Sequence, residues 1–173
     1  HRHGKLARRD AFVGKIVTFW MRSLLKLAGV TVHVTGQENI PSQVPCVFVC
    51  NHQGYFDIPI LLCYLDGPHG FIAKMQLRYF PFIRIWMRLF GCVFIDRDHP
   101  RESMKALNQA IQNLRDGYSM TIFPEGTRSR GDEVGEFKSG AFRIAYKTGA
   151  PIVPVCIDGS YKAMEGNGMW IKP

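Results

Sequence analysis

VFVCNHQGYFD, residues 47–57, is the stretch of sequence from which the fold can be predicted. Its apolar half predicts a buried strand that ends at Cys50. Asp57 stands two residues before Pro59, a spacing typical of a helix N-cap followed by a first-turn proline. We therefore expect His52 at the carboxyl end of a strand and Asp57 at the amino end of the next helix.

The spacing of His52 and Asp57 favours this strand–loop–helix turn. In one continuous helix, neighbours are three and four residues apart, so side chains five apart point away from each other. A turn can instead bring the carboxylate against the imidazole, as a general base with its orienting group. Open α/β sheets bind their ligands at this edge. The alternatives are a loop histidine without a role and an aspartate that only caps the helix, worth about 1 kcal/mol.

The composition suits one domain with an anionic partner. The chain has 173 residues, 46% of them hydrophobic, and a net charge of +8 from 22 basic and 14 acidic residues. Such a charge is compatible with nucleic acid, an anionic membrane surface or a phosphorylated small molecule. No nucleic-acid-binding motif is recognisable. The chain starts at His1 and ends at Pro173, and a fragment of a longer protein is one interpretation.

Cysteine and histidine spacing exclude two other classes of site. The five cysteines contain no C-x-x-C pair, which indicates thiols in a reducing compartment. Outside the His52 turn the histidines are scattered without metal-ligand spacing, so we expect no metal. No signal peptide is visible, and no run of about 18 uncharged apolar residues predicts a membrane span.

Predicted strands and helices alternate along the chain. Helices are predicted over 10–28, 58–65, 80–91, 100–115 and 139–147, and strands over 30–35, 44–50, 70–74, 91–95, 118–123 and 151–157. This alternation predicts a single α/β domain with a mostly parallel central sheet flanked by helices. We expect an amphipathic N-terminal helix before it. Residues 1–29 would form a basic arm and this membrane-associating helix, and residues 30–173 the α/β domain.

Two apolar helices each allow two interpretations. The helix over 10–28 has a wide apolar surface opposite Lys15, Arg22 and Lys26. It packs on its own domain or lies in a lipid interface with its cations at anionic headgroups. The helix over 80–91 is interrupted only by arginines and packs in the core or contacts acyl chains and lipid.

Polar loops follow three of the predicted strands, over 51–57, 96–97 and 123–129. If the strands are parallel, all three loops gather at one edge of the sheet. Arginine is suited to bidentate recognition of phosphate. Arg97 would then lie near the other loops, or belong to a solvated charged turn.

The loop over 123–129, FPEGTRS, contains the most varied chemistry. Gly126 permits close backbone approach. Glu125 would repel a phosphate, so we expect it to hold Arg128 in place or to accept a hydrogen bond from a substrate hydroxyl. An ordinary polar loop is the alternative.

Four blocks of the sequence together resemble those of the glycerolipid acyltransferases, most closely those that acylate 1-acyl-sn-glycerol 3-phosphate (lysophosphatidic acid). The blocks are NHQGYFD at 51–57, GCVFIDR at 91–97, FPEGTRS at 123–129 and IVPVCI at 152–157. Segments around Lys74 and Lys138 also resemble those between the family's blocks. The resemblance covers roughly residues 30–160, and further sequence is expected beyond the fourth block and before His1.

The resemblance implies an acyltransferase that moves a fatty acyl group from acyl-CoA or acyl-carrier protein to the sn-2 hydroxyl of lysophosphatidic acid. His52 would be the general base and Asp57 its partner. Binding of the acceptor's glycerol-phosphate would fall to Arg97, Glu125, Gly126, Thr127 and Arg128, with Lys74 and Lys138 as further contacts or as solvated surface charges. No cofactor is implied beyond the thioester co-substrate. We expect association with anionic lipids on the cytoplasmic face of a membrane, the inner membrane in a bacterium.

Three competitors remain at this point. The same chemistry could act on glycerol 3-phosphate or on another lysophospholipid. A non-catalytic lipid- or membrane-binding protein could keep the fold, although it would not need the pair of His52 and Asp57. The third is nucleic-acid binding, which is suggested only by the charge. Cys50, two residues from His52, could suggest a Cys–His acyl-enzyme, but its place in an apolar strand explains it adequately as a core residue.

Overall fold

A computed structural model describes residues 2–42, 44–65, 67, 69–96 and 98–171 of the chain. The described helices are α1 (Arg2–Leu27), α2 (Asp57–Tyr64), α3 (Pro81–Leu89), α4 (Pro100–Arg115) and α5 (Arg143–Thr148). The described strands are β1 (Val47–Cys50), β2 (His69–Lys74), β3 (Val93–Ile95), β4 (Ser119–Ile122) and β5 (Ile152–Val155). Short 3-10 helices cover Met75–Tyr79, Ser139–Phe142, Ser160–Ala163 and Glu165–Asn167.

The five strands form one parallel sheet in the order β3-β2-β4-β1-β5. β1 lies between β4 and β5, with Val47 opposite both Met120 and Ile152. All four residues of β1 are at most 7% exposed, because a strand inside a parallel sheet is covered on both faces. The predicted α/β domain with a mostly parallel sheet is confirmed.

Alternate residues of β1 build the two core layers. Val47 and Val49 pack with α4 and α5 on one face of the sheet. Phe48 and Cys50 pack on the other face with Leu61 of α2. Phe48 is 1% exposed, and full burial of such a side chain contributes about 1.5–3 kcal/mol.

The N-terminal helix covers α2 and shows two different faces. Val13, Val17 and Leu25 are buried, whereas Phe19 is 69% and Leu27 88% exposed. One face of this helix therefore packs on the domain, as the first interpretation predicts. The other face is exposed, and the lipid-interface interpretation stays a prediction. None of the described helices is both long enough and apolar enough to cross a membrane.

The start of α1 and the segment over 30–35 differ from the prediction. The helix begins at Arg2, so most of the predicted basic arm is helical, because residues such as Arg, Lys, Leu and Ala favour a helix. The segment over 30–35 is not a strand. Val30 and Val32 pack on a cluster of Leu25, Ala28, Phe56 and Ala163. Their alternation thus reflects partial burial and not a strand.

Two further differences concern helix starts and the helix α3. The predicted helix over 139–147 is a 3-10 turn followed by α5, which begins at Arg143. Helix α3 begins at Pro81 as predicted, but none of its residues is buried. Its interpretation as a core helix is therefore wrong.

Candidate active site

The imidazole of His52 and the carboxylate of Asp57 are in direct contact. Nδ1 of His52 lies 2.5 Å from Oδ2 of Asp57. The His52 side chain is 13% exposed and that of Asp57 is 0% exposed. Since β1 ends at Cys50 and α2 begins at Asp57, the intervening loop folds back as the spacing predicts.

Asp57 is not the N-cap of α2. The N-cap is Phe56, and Asp57 is the first helical residue. Its carboxylate points back into the loop, where Oδ2 also accepts from the backbone N–H groups of Gln53 (2.8 Å) and Gly54 (3.0 Å). Oδ1 accepts from the hydroxyl of Ser160. The interpretation of Asp57 as only a helix cap is therefore wrong, because all these bonds fix the carboxylate against His52.

The imidazole of His52 is held on its face as well as at Nδ1. It stacks on the ring of Phe123, with centroids 3.9 Å apart and planes 19° from parallel. No described residue forms a hydrogen bond with Nε2. When Asp57 accepts the Nδ1 proton, Nε2 is the nitrogen that can take a proton from a substrate.

Glu125 holds the loops after β1 and β4 together. Its Oε1 accepts from the backbone N–H of His52 at 2.7 Å, and its Oε2 accepts from that of Gly135 at 2.9 Å. The two loops also bond through Ser129 N to His52 O (2.8 Å) and Arg130 N to Gln53 O (3.0 Å). The expected pairing of Glu125 with Arg128 is not formed, since both carboxylate oxygens bind backbone amides instead.

Arg128 lies over a neighbouring aromatic side chain. Its guanidinium carbon is 3.7 Å from the centroid of the Tyr55 ring, a cation–π contact worth about 0.5–2 kcal/mol. Its Nε is buried and has no hydrogen-bond partner among the described residues. Gly126 has φ +78°, a conformation that favours glycine. Thr127, between them, is exposed. This loop thus carries a fixed cation and a hydroxyl beside the His52 loop.

Two other predicted phosphate contacts, Lys74 and Lys138, are exposed. Lys74 ends β2, the strand next to β4, and is exposed. The backbone N–H of Lys138 donates to Pro124 O at 3.0 Å, which places this exposed lysine behind the same loop. Arg97 lies outside the described residues. The strand before it, β3, is an edge strand, three positions from β1 in the sheet.

Four polar residues of the site were missed by sequence reasoning. The side chain of Asn51 bonds both the N–H (2.7 Å) and the C=O (2.8 Å) of Ile157. Oε1 of Gln53 accepts from Ser160 N at 3.2 Å, and Glu165 accepts from Tyr55 N at 2.6 Å. These bonds fix the His52 loop to the chain after β5. Ser160 could have been identified from the sequence because, like His52, it follows a strand of the parallel sheet.

Cys50 is unsuited to the role of a nucleophile. It is 0% exposed. Burial raises the pKa of its thiol strongly, and the negative charge of Asp57 raises it further. The thiolate is the reactive form of cysteine, so the structure argues against a Cys–His acyl-enzyme.

Grooves and metal ligands elsewhere do not add to this site. One groove runs along α1 beside Lys15 and Arg22, and another lies beside β3 between Arg78 and Lys105. The described part of the chain has no cluster of three or more potential metal-ligating His, Cys, Asp or Glu residues. The expectation that the protein needs no metal stays a prediction.

Comparison with known proteins places the chain among acyltransferases. The model of the family described as Acyltransferase matches residues 31–158. The chloroplastic 1-acyl-sn-glycerol-3-phosphate acyltransferase of Brassica napus is 42% identical over 132 residues, which are 76% of this chain and 38% of that protein. A protein of Mycoplasma pneumoniae named as a probable 1-acyl-sn-glycerol-3-phosphate acyltransferase is 41% identical over 147 residues, 82% of this chain and 54% of that protein.

A solved structure is similar over nearly the whole chain. The crystal structure of the 1-acyl-sn-glycerophosphate (LPA) acyltransferase PlsC from Thermotoga maritima matches with a TM-score of 0.84 at 34% identity. The match covers 95% of this chain and 65% of that one. The chain thus spans less than two thirds of each of these three proteins.

Proposed function

The chain belongs to the acyltransferase family, as its four sequence blocks predicted, and we propose that it moves a fatty acyl group from a thioester to the sn-2 hydroxyl of lysophosphatidic acid. The product would be phosphatidic acid, an intermediate of phospholipid synthesis. The names of the similar proteins support this acceptor. The observation that carries the proposal is the 2.5 Å contact of His52 Nδ1 with Asp57 Oδ2.

His52 acts as general base in this proposal. A hydroxyl is a poor nucleophile until a base removes its proton, and imidazole titrates near neutral pH. Nε2 of His52 takes the proton of the sn-2 hydroxyl as the oxygen attacks the thioester carbon. Asp57 holds the Nδ1–H tautomer and stabilises the imidazolium that forms.

The second half of the reaction returns this proton. The new C–O bond gives a tetrahedral intermediate, and the C–S bond then breaks. The leaving sulfur takes the proton from the His52 imidazolium, so that the enzyme ends as it began. A thioester is already activated, which is why no enzyme nucleophile is required, in agreement with the burial of Cys50.

The loop after β4 is proposed to bind the acceptor's phosphate. Arg128 presents a guanidinium fixed by Tyr55, and Thr127 presents an exposed hydroxyl. The net charge of +8 favours approach of an anionic substrate. We further propose Lys74, Lys138, Gly126 and Arg97 as contacts of the glycerol-phosphate or the donor. Glu125 contributes by placing the His52 loop against this one.

The acyl donor is proposed to be acyl-CoA or acyl-carrier protein, without a further cofactor. Both donors present the same thioester to His52. A parallel assay with each donor separates them.

An acylation assay tests the proposal. Purified protein in detergent or vesicles receives lysophosphatidic acid and an acyl thioester, and phosphatidic acid is measured for wild type, His52→Ala and His33→Ala. We expect folded His52→Ala to lose about 10³-fold or more in kcat, because the base is gone. His33→Ala removes an exposed imidazole and should leave the rate unchanged.

Three outcomes would contradict parts of the proposal. Equal rates for wild type and His52→Ala would refute the mechanism. Acylation of glycerol 3-phosphate or another lysophospholipid in preference to lysophosphatidic acid would refute the acceptor. Tight binding of lysophosphatidic acid vesicles without acylation of any acceptor would indicate a non-catalytic lipid-binding protein.

A membrane surface is proposed as the partner of α1 and α3, on its cytoplasmic face. The rings of Trp20, Phe82 and Trp86 form a cluster that joins the two helices, with centroids 5.4–6.3 Å apart. Phe82 and Ile85 of α3 are 60% and 55% exposed. Helix α3 also carries two arginines, and an exposed apolar helix with cations is typical of an interfacial helix on anionic lipid.

Sedimentation with anionic and neutral vesicles tests this partner. We expect Phe82→Ser to weaken binding to anionic vesicles about 10- to 100-fold, because a buried aromatic side chain is worth roughly 1.5–3 kcal/mol. Tyr146→Ser is the matched control, since Tyr146 is 90% exposed on α5, on another helix. Equal binding by Phe82→Ser and wild type would argue against an α1–α3 membrane face.

A further inference from the structure

Ser160 lies behind the pair of His52 and Asp57, in a part of the chain outside the four sequence blocks. It begins the 3-10 helix Ser160–Ala163, directly after Gly159 with φ +80°. It is 5% exposed. Its hydroxyl donates to Oδ1 of Asp57, the oxygen that His52 does not use.

The backbone around Ser160 is fixed by the His52 loop itself. Asn51 bonds both backbone groups of Ile157, three residues earlier. Gln53 Oε1 accepts from Ser160 N at 3.2 Å. The hydroxyl therefore has a defined position, set by the residues on either side of His52.

The two carboxylate oxygens of Asp57 accept hydrogen bonds from different numbers of donors. Oδ2 accepts from His52, Gln53 and Gly54, all within its own loop. Among the described residues, Ser160 is the donor to Oδ1. Without that hydroxyl, Oδ1 would be buried without a described donor, which is unfavourable for a carboxylate.

We infer that Ser160 is a positioning residue of the reaction, which holds Oδ1 of Asp57 and withdraws part of its negative charge from the side that faces His52. This rests on the proposed function, in which neutral His52 is the base. A carboxylate that loses a donor attracts a neighbouring imidazolium more strongly. His52 would then stay protonated to higher pH and would be a poorer base near neutrality.

Other ionisable groups around the pair come from several elements and are unchanged by a substitution at Ser160. They are Cys50 at the end of β1, Glu125 on His52 N, Glu165 on Tyr55 N and Arg128 over the Tyr55 ring. A change on replacing Ser160 therefore reports on its own hydrogen bond.

The test compares Ser160→Ala, Ser160→Thr and the control Ser119→Ala. The hydroxyl of Ser119 is also hydrogen-bonded inside the fold, with Cys46 N at 3.1 Å and Cys46 Sγ at 3.7 Å, but at the amino end of β4. The midpoint of the His52 titration is followed by NMR, and kcat/KM is measured against pH. We expect Ser160→Ala to raise the midpoint by about 0.5 pH unit and to lower kcat/KM about threefold on the acid side only.

Ser160→Thr keeps the hydroxyl and should restore the wild-type midpoint, and Ser119→Ala should keep it. An unchanged midpoint in Ser160→Ala, or a rate reduced equally at all pH values, would show a merely structural role and overturn the inference. If Ser160→Ala does not fold, a shifted midpoint in Ser160→Thr would overturn it. Failure of the wild type to acylate would instead refute the proposed function, while the NMR titration still decides the role of Ser160.

Discussion

Replacement of Glu125 by Gln tests whether this side chain supports the loops or binds substrate. The two residues have the same shape, but the carboxylate accepts from two backbone amides, His52 N and Gly135 N. The amide of Gln can accept only one of them and turns a donor toward the other. In the one hydrogen bond that remains, the acceptor is neutral instead of charged.

The expected loss of stability follows from these two bonds. A hydrogen bond to a charged group is worth about 1.5–3 kcal/mol and a neutral one about 0.5–1.5, so loss of the charge removes about 1 kcal/mol at His52 N. An opposed donor at the partly buried Gly135 N adds about 1–2 kcal/mol. The free energy of unfolding should fall by about 2–3 kcal/mol, and Tm by about 4–12 °C for a chain of this length.

Urea and thermal unfolding measure this change, with Glu102→Gln as the matched control. Glu102 makes an exposed ion pair with Lys105 at 2.6 Å, and such a pair contributes about 0.5 kcal/mol or less. The reasoning would be refuted if Glu125→Gln changed the KM for the acceptor but left Tm within about 1 °C of wild type. Glu125 would then be a substrate contact, as the sequence first suggested.

Three further predictions follow from buried groups. Cys50→Ala should keep the acylation rate within about twofold and lose about 1 kcal/mol of stability, because the buried thiol packs but does not react. Burial lowers the pKa of His69 below its usual 6.5. As pH falls, the imidazole is therefore protonated in the unfolded chain before it is protonated in the folded one. Neutral His69 therefore contributes fully to the free energy of unfolding above about pH 6.5, and below that pH this contribution falls by up to about 1.4 kcal/mol per pH unit. His69→Gln should make the free energy of unfolding, measured in urea, less dependent on pH between about pH 7.5 and 5.5. Tyr118→Phe removes the 2.5 Å bond to Asp10 that ties α1 to the domain, and should speed amide exchange in α1.

The parts of the fold that sequence predicted best are those determined by neighbouring residues. Helix α4 has the predicted bounds, since Pro100 stands at its first turn and Asp116-Gly117 ends it. The contact of His52 with Asp57 could also be predicted from the sequence, because the two residues lie on either side of one short loop. Local signals were sufficient in both places.

The errors concern partners that lie far apart in the chain. The strands are parallel, so the loops that follow them share one edge of the sheet, but the sequence could not show that β3 is an edge strand two positions from β4. Glu125 was assigned to nearby Arg128, whereas its partners belong to the loop after β1 and to residue 135. The alternation over 30–35 predicted an edge strand, but two of its valines pack on side chains from distant parts of the chain without forming a strand.

The same distinction separates the groups proposed to react from the groups that hold them. His52, Asp57 and Arg128 follow two strands that are adjacent in the sheet, and each was identified from its own motif. Asn51, Gln53 and Tyr55 are supported by residues 157–165, more than a hundred positions later, which are adjacent only because β5 pairs with β1. Strand order is set by packing of the whole sheet and cannot be determined from any one motif. A hydroxyl such as Ser160 therefore becomes interpretable only after the pairing of β5 with β1 is known, although it touches the same carboxylate as His52.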